Sequence, residues 1–196
     1  VIARVYRKYQ QKLEQAAALD FGDLILKPVQ VLRDYNDIRK KYQEQIQYLL
    51  IDEYQDINNA QYALVKQLAG KYKNICIVGD DDQSIYSWRG ADSRNLWRFE
   101  ADFPNPQVVK LEQNYRSTPE ILTCAWMLIQ NNTTRKEKKL WSANEPGPVA
   151  CMHQCIDETA EADYVAQQVR MMEGAKYALS DFAVFYRINA QSRVFE

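Results

Sequence analysis

Three carboxylates follow directly on an apolar run in the stretch YLLIDEYQDINNAQ: Leu49, Leu50 and Ile51 lead into Asp52 and Glu53, with Asp56 three residues on. Carboxylates repel one another and resist burial, so an apolar strand that ends in them calls for a counter-charge. A second short apolar stretch, NICIVGDDDQ, also ends in acids, Asp80 to Asp82, and then Gln83. In an open α/β sheet the carboxyl ends of the strands form the ligand crevice. Acids at two such ends suit a hydrated divalent cation holding phosphates, because hard cations prefer oxygen anions. On this reading Asp52 positions magnesium and Glu53 orients the attacking water. The bland alternative is that these acids are solvated loop residues or charges at a helix start, and spacing alone does not choose.

Further candidates lie downstream. In GDDDQSIYSWRGA, Gln83 both donates and accepts hydrogen bonds and can contact a γ-phosphate or its water. Tyr86 and Trp88 beside Arg89 suit stacking on single-stranded bases and holding phosphate; residue type alone favours ordinary core aromatics. LEQNYRS places Tyr115 and Arg116 between a strand and a helix, where an arginine can neutralise charge developing in phosphoryl transfer or simply form a surface ion pair. Two signals carry less. Cys151, His153 and Cys155 in CMHQC alternate along an expected strand, ~7 Å apart, which is awkward for three ligands on one ion. The run RKEKK (Arg135 to Lys139), near Trp141, reads as a solvated loop rather than a nucleic-acid patch.

The elements that must position these residues follow from periodicity. Residues 1–19 read as a helix with Val5, Tyr9 and Leu13 four apart; LDFGDLILKPVQVL and DYNDIRKKYQEQI give two more. The strand Tyr48–Ile51 precedes a helix opened by Asn58 or Asn59 and stopped at Gly70. NICIV is a second strand, and a helix opened by Asp92 or Ser93 runs to Pro104. QVVKLEQNYR is a third strand. STPEILTCAWMLIQNN is a helix with Ser117 and Glu120 spaced as a capping box and Pro119 in its first turn. Val149–Cys155 and FAVFYR are the fourth and fifth strands, around a helix at Thr159–Glu173 ended by Gly174; another helix starts near Asn189. Strands alternating with such helices predict an α/β fold with a parallel sheet.

Composition agrees with a soluble domain: 196 residues, 46% hydrophobic, 26% charged and a formal charge of −1, so any anion site must be local. Four cysteines in this length do not read as a disulfide framework, and a reducing, cytoplasmic compartment is expected. The chain starts at Val1 and stops inside an expected helix, so both ends read as cut from something longer.

Taken together, LLIDEYQD, GDDDQSIYSWRGA, LEQNYRS and AVFYRINAQSR, supported by LDFGDLI and NNTTRKEKKLW, arrive in the order and spacing of one family. The chain closely resembles the UvrD/PcrA/Rep-type superfamily 1 DNA helicases over essentially its whole length. The resemblance implies an ATP- and magnesium-dependent 3′→5′ motor on single-stranded DNA, built from RecA-like domains with ATP in the cleft between them. Its setting would be repair or replication, its partners duplex/single-strand junctions and proteins of those pathways. By the resemblance Asp52 and Glu53 match the magnesium-binding and water-activating acids, and Gln83 the glutamine linking nucleotide state to DNA. Tyr86, Trp88 and Arg89 match a DNA-contacting segment, Tyr115 the adenine-packing residue and Arg116 the arginine meeting the γ-phosphate from the second domain. Arg187 and Asn189 fall where the second domain touches the strand. Residues 1–20 would end a helical insertion, 21–113 complete the first RecA-like domain and 114–196 begin the second.

The sequence departs from the family pattern at Ile57, where threonine is usual, at Asp81, where serine is common, and at Gly22, where an acid is usual. The only Gly-Lys step is Gly70-Lys71, followed by Tyr72, so these 196 residues contain no Gly-Lys-Ser/Thr phosphate loop. The chain alone is therefore expected not to hydrolyse ATP. The rival expectation is a catalytically silent nucleic-acid- or partner-binding module that keeps helicase-like surfaces.

Overall fold

Local sequence signals build the elements of the computed structural model, which describes residues 1–92, 94–133, 135–173 and 177–196. Three helices, α1 (Ile2–Gln15), α2 (Asp23–Asp34) and α3 (Asn36–Gln45), precede β1 (Leu49–Ile51). A 3-10 turn at Tyr54–Asp56 leads to α4 (Asn59–Leu68). Asn58 caps that helix: its Oδ1 accepts from the N–H groups of Ala60 and Gln61, both at 2.9 Å, while Gln61 Oε1 accepts from the Asn58 N–H at 2.8 Å. Four orphan N–H groups open every helix, and this reciprocal box satisfies several of them. Then come β2 (Ile75–Ile77), α5 (Arg94–Asp102), β3 (Gln113–Asn114), α6 (Pro119–Ile129), β4 (Trp141–Ser142) and α7 (Glu158–Met172).

β1 and β2 pair in parallel, Leu49 opposite Ile75 and Ile51 opposite Ile77, so their carboxyl ends emerge side by side. The pairing continues past them: the Val78 N–H donates to Ile51 at 2.8 Å and the Tyr54 N–H to Val78 at 3.0 Å. Beneath lies the core, Tyr54, Ile57, Tyr62 and Phe99, backed by Ile51, Ile75, Ile77, Leu96 and Phe103. Phe99 meets Tyr54 edge-on at 5.8 Å and stacks on Phe103 at 4.9 Å. α2, α3 and α4 pack as a helical layer, tied by Gln43 Nε2 to the Gln67 carbonyl and Gln67 Nε2 to the Val29 carbonyl. Among the described residues no helix is long and apolar enough to cross a membrane, and all four cysteines are free.

Helices and parallel pairing make this the expected α/β class, with less sheet than expected. The third strand is reduced to Gln113–Asn114, paired in parallel with Trp141–Ser142, a segment where no strand is expected from the sequence. Val149–Cys155 and Phe182–Arg187 form no strand, because an apolar stretch becomes a strand only where a neighbour takes up its N–H and C=O groups. The stretch at Asn189 is a 3-10 turn to Val194, not an α-helix. The Ser117/Glu120 box is not made: Thr118 is the N-cap without a side-chain bond, and Glu120 Oε2 instead accepts from the Gly147 N–H at 2.8 Å. Just before α5, Asp92 Oδ1 accepts from the Arg94 N–H at 3.1 Å. Ser93 and Gly174, the other expected helix boundaries, lie outside the described residues.

Candidate functional site

Parallel pairing of β1 and β2 sets two strand-end turns against each other. One carries Asp52 and Glu53, both exposed; the other carries Gly79 to Gln83. Asp52 Oδ1 accepts from the Glu53 N–H at 2.9 Å, which leaves Oδ2 open to a ligand. Glu53 has a left-handed backbone, φ 51° and ψ 41°, a conformation that costs a non-glycine residue about 1–2 kcal/mol. Between the turns sits a residue without a role in the sequence reading, Gln55, which is 1% exposed. Its Nε2 donates to Glu53 Oε2 at 2.7 Å and its Oε1 accepts from the Asp80 N–H at 3.0 Å. Asp80 in turn accepts from Gln83 Nε2 at 2.8 Å.

The acids after β2 do not join Asp52 and Glu53 as free oxygen ligands, contrary to the reading that both strand ends serve one ion. Asp80, Asp81 and Asp82 have carboxylate oxygens within 4.8 Å of one another, but their charge is balanced by the RKEKK run. Arg135 clasps Asp82 with two hydrogen bonds, 2.9 and 2.6 Å. Lys138 bonds Asp80, and Asp81 at 3.0 Å and Asp82 at 3.2 Å. Lys136 pairs with Glu100, and its N–H donates to Asp81 at 2.6 Å. The basic run is thus a docked segment, not a solvated loop. Its complement was visible only as two oppositely charged runs more than fifty residues apart. Arg135 holds the Asp82 carboxyl below its ordinary range. Burial alone would lower Lys138, but its bonds to Asp80 and Asp81 outweigh that and raise it. The unusual Asp81 therefore has a partner, and the unusual Ile57 is a core residue whose carbonyl accepts from Asn95 Nδ2 at 3.2 Å. A cavity of about 290 Å³ lies beside this seam, between Asp82 and Gln83 on one side and Trp126, Ile129, Arg135 and Lys138 on the other.

The aromatic segment stands apart and exposed. Tyr86 and Trp88 lie 6.5 Å apart at 55°, with the Arg89 guanidinium 5.0 Å from the first ring and 4.5 Å from the second. Gly90, at φ +86°, turns the chain back, and the Asp92 N–H bonds the Ile57 carbonyl at 3.2 Å. Trp88 is 66% exposed, so the core alternative does not describe it. Tyr115 and Arg116 are presented by Asn114, whose Oδ1 accepts from the N–H groups of Arg116 at 3.0 Å and Ser117 at 2.8 Å. Tyr115 is exposed and bonds Gln113; the exposed Arg116 guanidinium has no ion-pair partner among the described residues. The structure does not bring Arg116 into contact with Asp52 or Glu53. Arg187 and Asn189 are exposed at the final 3-10 turn, near α7. His153 stacks on Tyr164 at 3.9 Å, while Cys151 Sγ faces the Val149 carbonyl.

Comparison with known proteins places the chain in a family. The family model described as UvrD/REP helicase N-terminal domain matches residues 1–104, and that of the UvrD-like helicase C-terminal domain matches residues 109–196. Both are RecA-like, and the small parallel sheets with their helices are those of an incomplete α/β fold of that kind. The chain is 46% identical over 196 residues to the ATP-dependent DNA helicase PcrA of Staphylococcus epidermidis, and 47% identical over 197 residues to that of Bacillus subtilis. All of this chain is covered in both cases, but only 27% of either relative. The N-terminal model alone matches more than half of the chain, and with the C-terminal model nearly all of it: the chain belongs to the UvrD/REP helicase family.

Proposed function

We propose that these residues are working parts of an ATP-dependent 3′→5′ DNA helicase that couples Mg·ATP hydrolysis to movement along single-stranded DNA and opening of duplex junctions. The observation that carries this is the juxtaposition of Asp52 and Glu53 with the Gln83 turn, across paired strand ends. An exposed carboxylate with an open oxygen is a fitting donor for magnesium. Mg·ATP, when bound, supplies the reactive phosphoanhydride and the cation that neutralises it. Asp52 then holds the cation, Glu53 orients the attacking water, and Gln83 presents both a donor and an acceptor near the γ-phosphate. Arg116, without an ion-pair partner among the described residues, offers its guanidinium to the transferring group, and Tyr115 an exposed ring to the base of the nucleotide. Tyr86, Trp88 and Arg89 form the single-strand platform, with Arg187 and Asn189 as further strand contacts. On this reading 1–20 ends a helical insertion, 21–113 belongs to the first motor domain and 114–196 to the second, and the setting is cytoplasmic DNA repair or replication.

The phosphate-cradling lysine is not among these 196 residues, so the chain by itself turns over no ATP. A colorimetric phosphate-release assay with excess single-stranded DNA checks this; release well above a Glu53→Gln control would overturn it. Platform binding is read by fluorescence anisotropy. Trp88→Ala is expected to weaken single-stranded DNA binding about 5- to 100-fold, the range of one stacked base, with affinity falling as salt rises. Unchanged affinity would remove the stacking role.

A further inference from the structure

Resting on the reading of Glu53 as the water-orienting acid, we propose that Gln55 is the positioning residue that fixes its carboxylate against the Asp80–Gln83 turn. Glu53 is exposed, and an exposed glutamate samples many rotamers. Yet orienting a water demands a side chain held to within about 0.5 Å of its productive place. Gln55 supplies that restraint from below. It is buried, and both ends of its carboxamide are used: Nε2 on Glu53 Oε2 at 2.7 Å, Oε1 on the Asp80 N–H at 3.0 Å.

The partners fix which way the amide points. Turned over, it would set oxygen against carboxylate and NH₂ against N–H. The main-chain carbonyl of Gln55 also accepts from Ser84 Oγ at 3.4 Å, so the turn after β2 is held at both ends. Gly79 leaves room for the amide, since a Cβ there would stand 3.0 Å from Gln55 Oε1. Because Asp80 also takes Gln83 Nε2 at 2.8 Å, Glu53 and Gln83 are linked through Gln55 and Asp80 without touching. Only a glutamine-length carboxamide offers a donor to one turn and an acceptor to the other.

The test uses the whole helicase that carries these residues. Gln55→Glu keeps the shape and the acceptor for Asp80 but opposes Glu53 with a second carboxylate; Gln55→Leu removes both bonds. Each is expected to lower kcat for DNA-stimulated ATP hydrolysis about 10- to 100-fold, the range seen when a partner orienting a reactive ligand is lost, with KM for ATP within about threefold. On the 196-residue chain, Gln55→Glu should lower the urea midpoint, and Glu53→Gln with Gln55→Glu should restore it by exchanging donor and acceptor. A lowered midpoint with unchanged kcat would make Gln55 merely structural and overturn the proposal, as would a rise in KM with kcat intact. Should Glu53→Gln alone leave hydrolysis intact, the assignment of Glu53 fails first. That failure is recognisable because the urea exchange still reports the clamp.

Discussion

At the scale of single residues, Tyr54 shows how the site is anchored and what the anchoring costs. Its side chain is wholly buried against Phe99, yet its hydroxyl has no hydrogen-bond partner among the described residues. Burial, helped by the charge of Asp102, pushes the phenol up to about 12. The folded protein therefore keeps a proton that the unfolded chain releases near pH 10, and this contribution to stability is lost as pH rises from about 10 to 12. Tyr62 is raised in the same direction by burial and by its bond to Asp102. Tyr54→Phe keeps the ring and removes the orphan hydroxyl. It should gain about 1 kcal/mol at pH 7 and flatten, without abolishing, the alkaline loss. Urea unfolding at pH 7 and pH 11 measures both.

At the scale of elements, the seam between the Asp80–Asp82 turn and the Arg135–Lys138 segment fastens the first sheet to the second. The Asp82 carboxyl, held low chiefly by Arg135, contributes above the ordinary carboxylate range and loses that contribution as pH falls through its depressed value. Lys138→Met leaves three carboxylates together and should cost about 1.5–3 kcal/mol, read by urea unfolding at pH 7. The deficit should shrink below about pH 4, where carboxylates protonate. Little of this seam was legible in the sequence, because charge runs look alike whether solvated or docked. Helices fared better: Asn58 announces its helix start locally, and the helix read from Thr159 begins one residue earlier, at Glu158, behind Asp157, whose Oδ1 accepts from the Ala160 N–H at 2.8 Å. Strands fared worse. Leu49–Ile51 and Ile75–Ile77 find each other, but Val149–Cys155 and Phe182–Arg187 pair with no strand among the described residues. The two strand-end turns were legible as acids and glutamine; Gln55 was not, since its neighbours in DEYQD say nothing of the turn it reaches.

At the scale of the whole molecule, many large apolar side chains lie on the surface. Val108, Val109, Leu111, Leu128, Met152, Ile156 and Phe185 are all more than half exposed, and exposed apolar area on this scale marks surfaces that bind others. The 196-residue chain should enhance the fluorescence of an environment-sensitive apolar dye at pH 7 without denaturant. Enhancement no greater than that of a typical well-packed monomer would contradict the exposure. Global stability also bears on Glu53. Its left-handed backbone favours glycine or asparagine, so a library selected for heat resistance alone should drift toward those residues at position 53. On the proposed role of Glu53 as the water-orienting acid, such survivors would tolerate more heat and lose hydrolysis, so the position sets durability against motion.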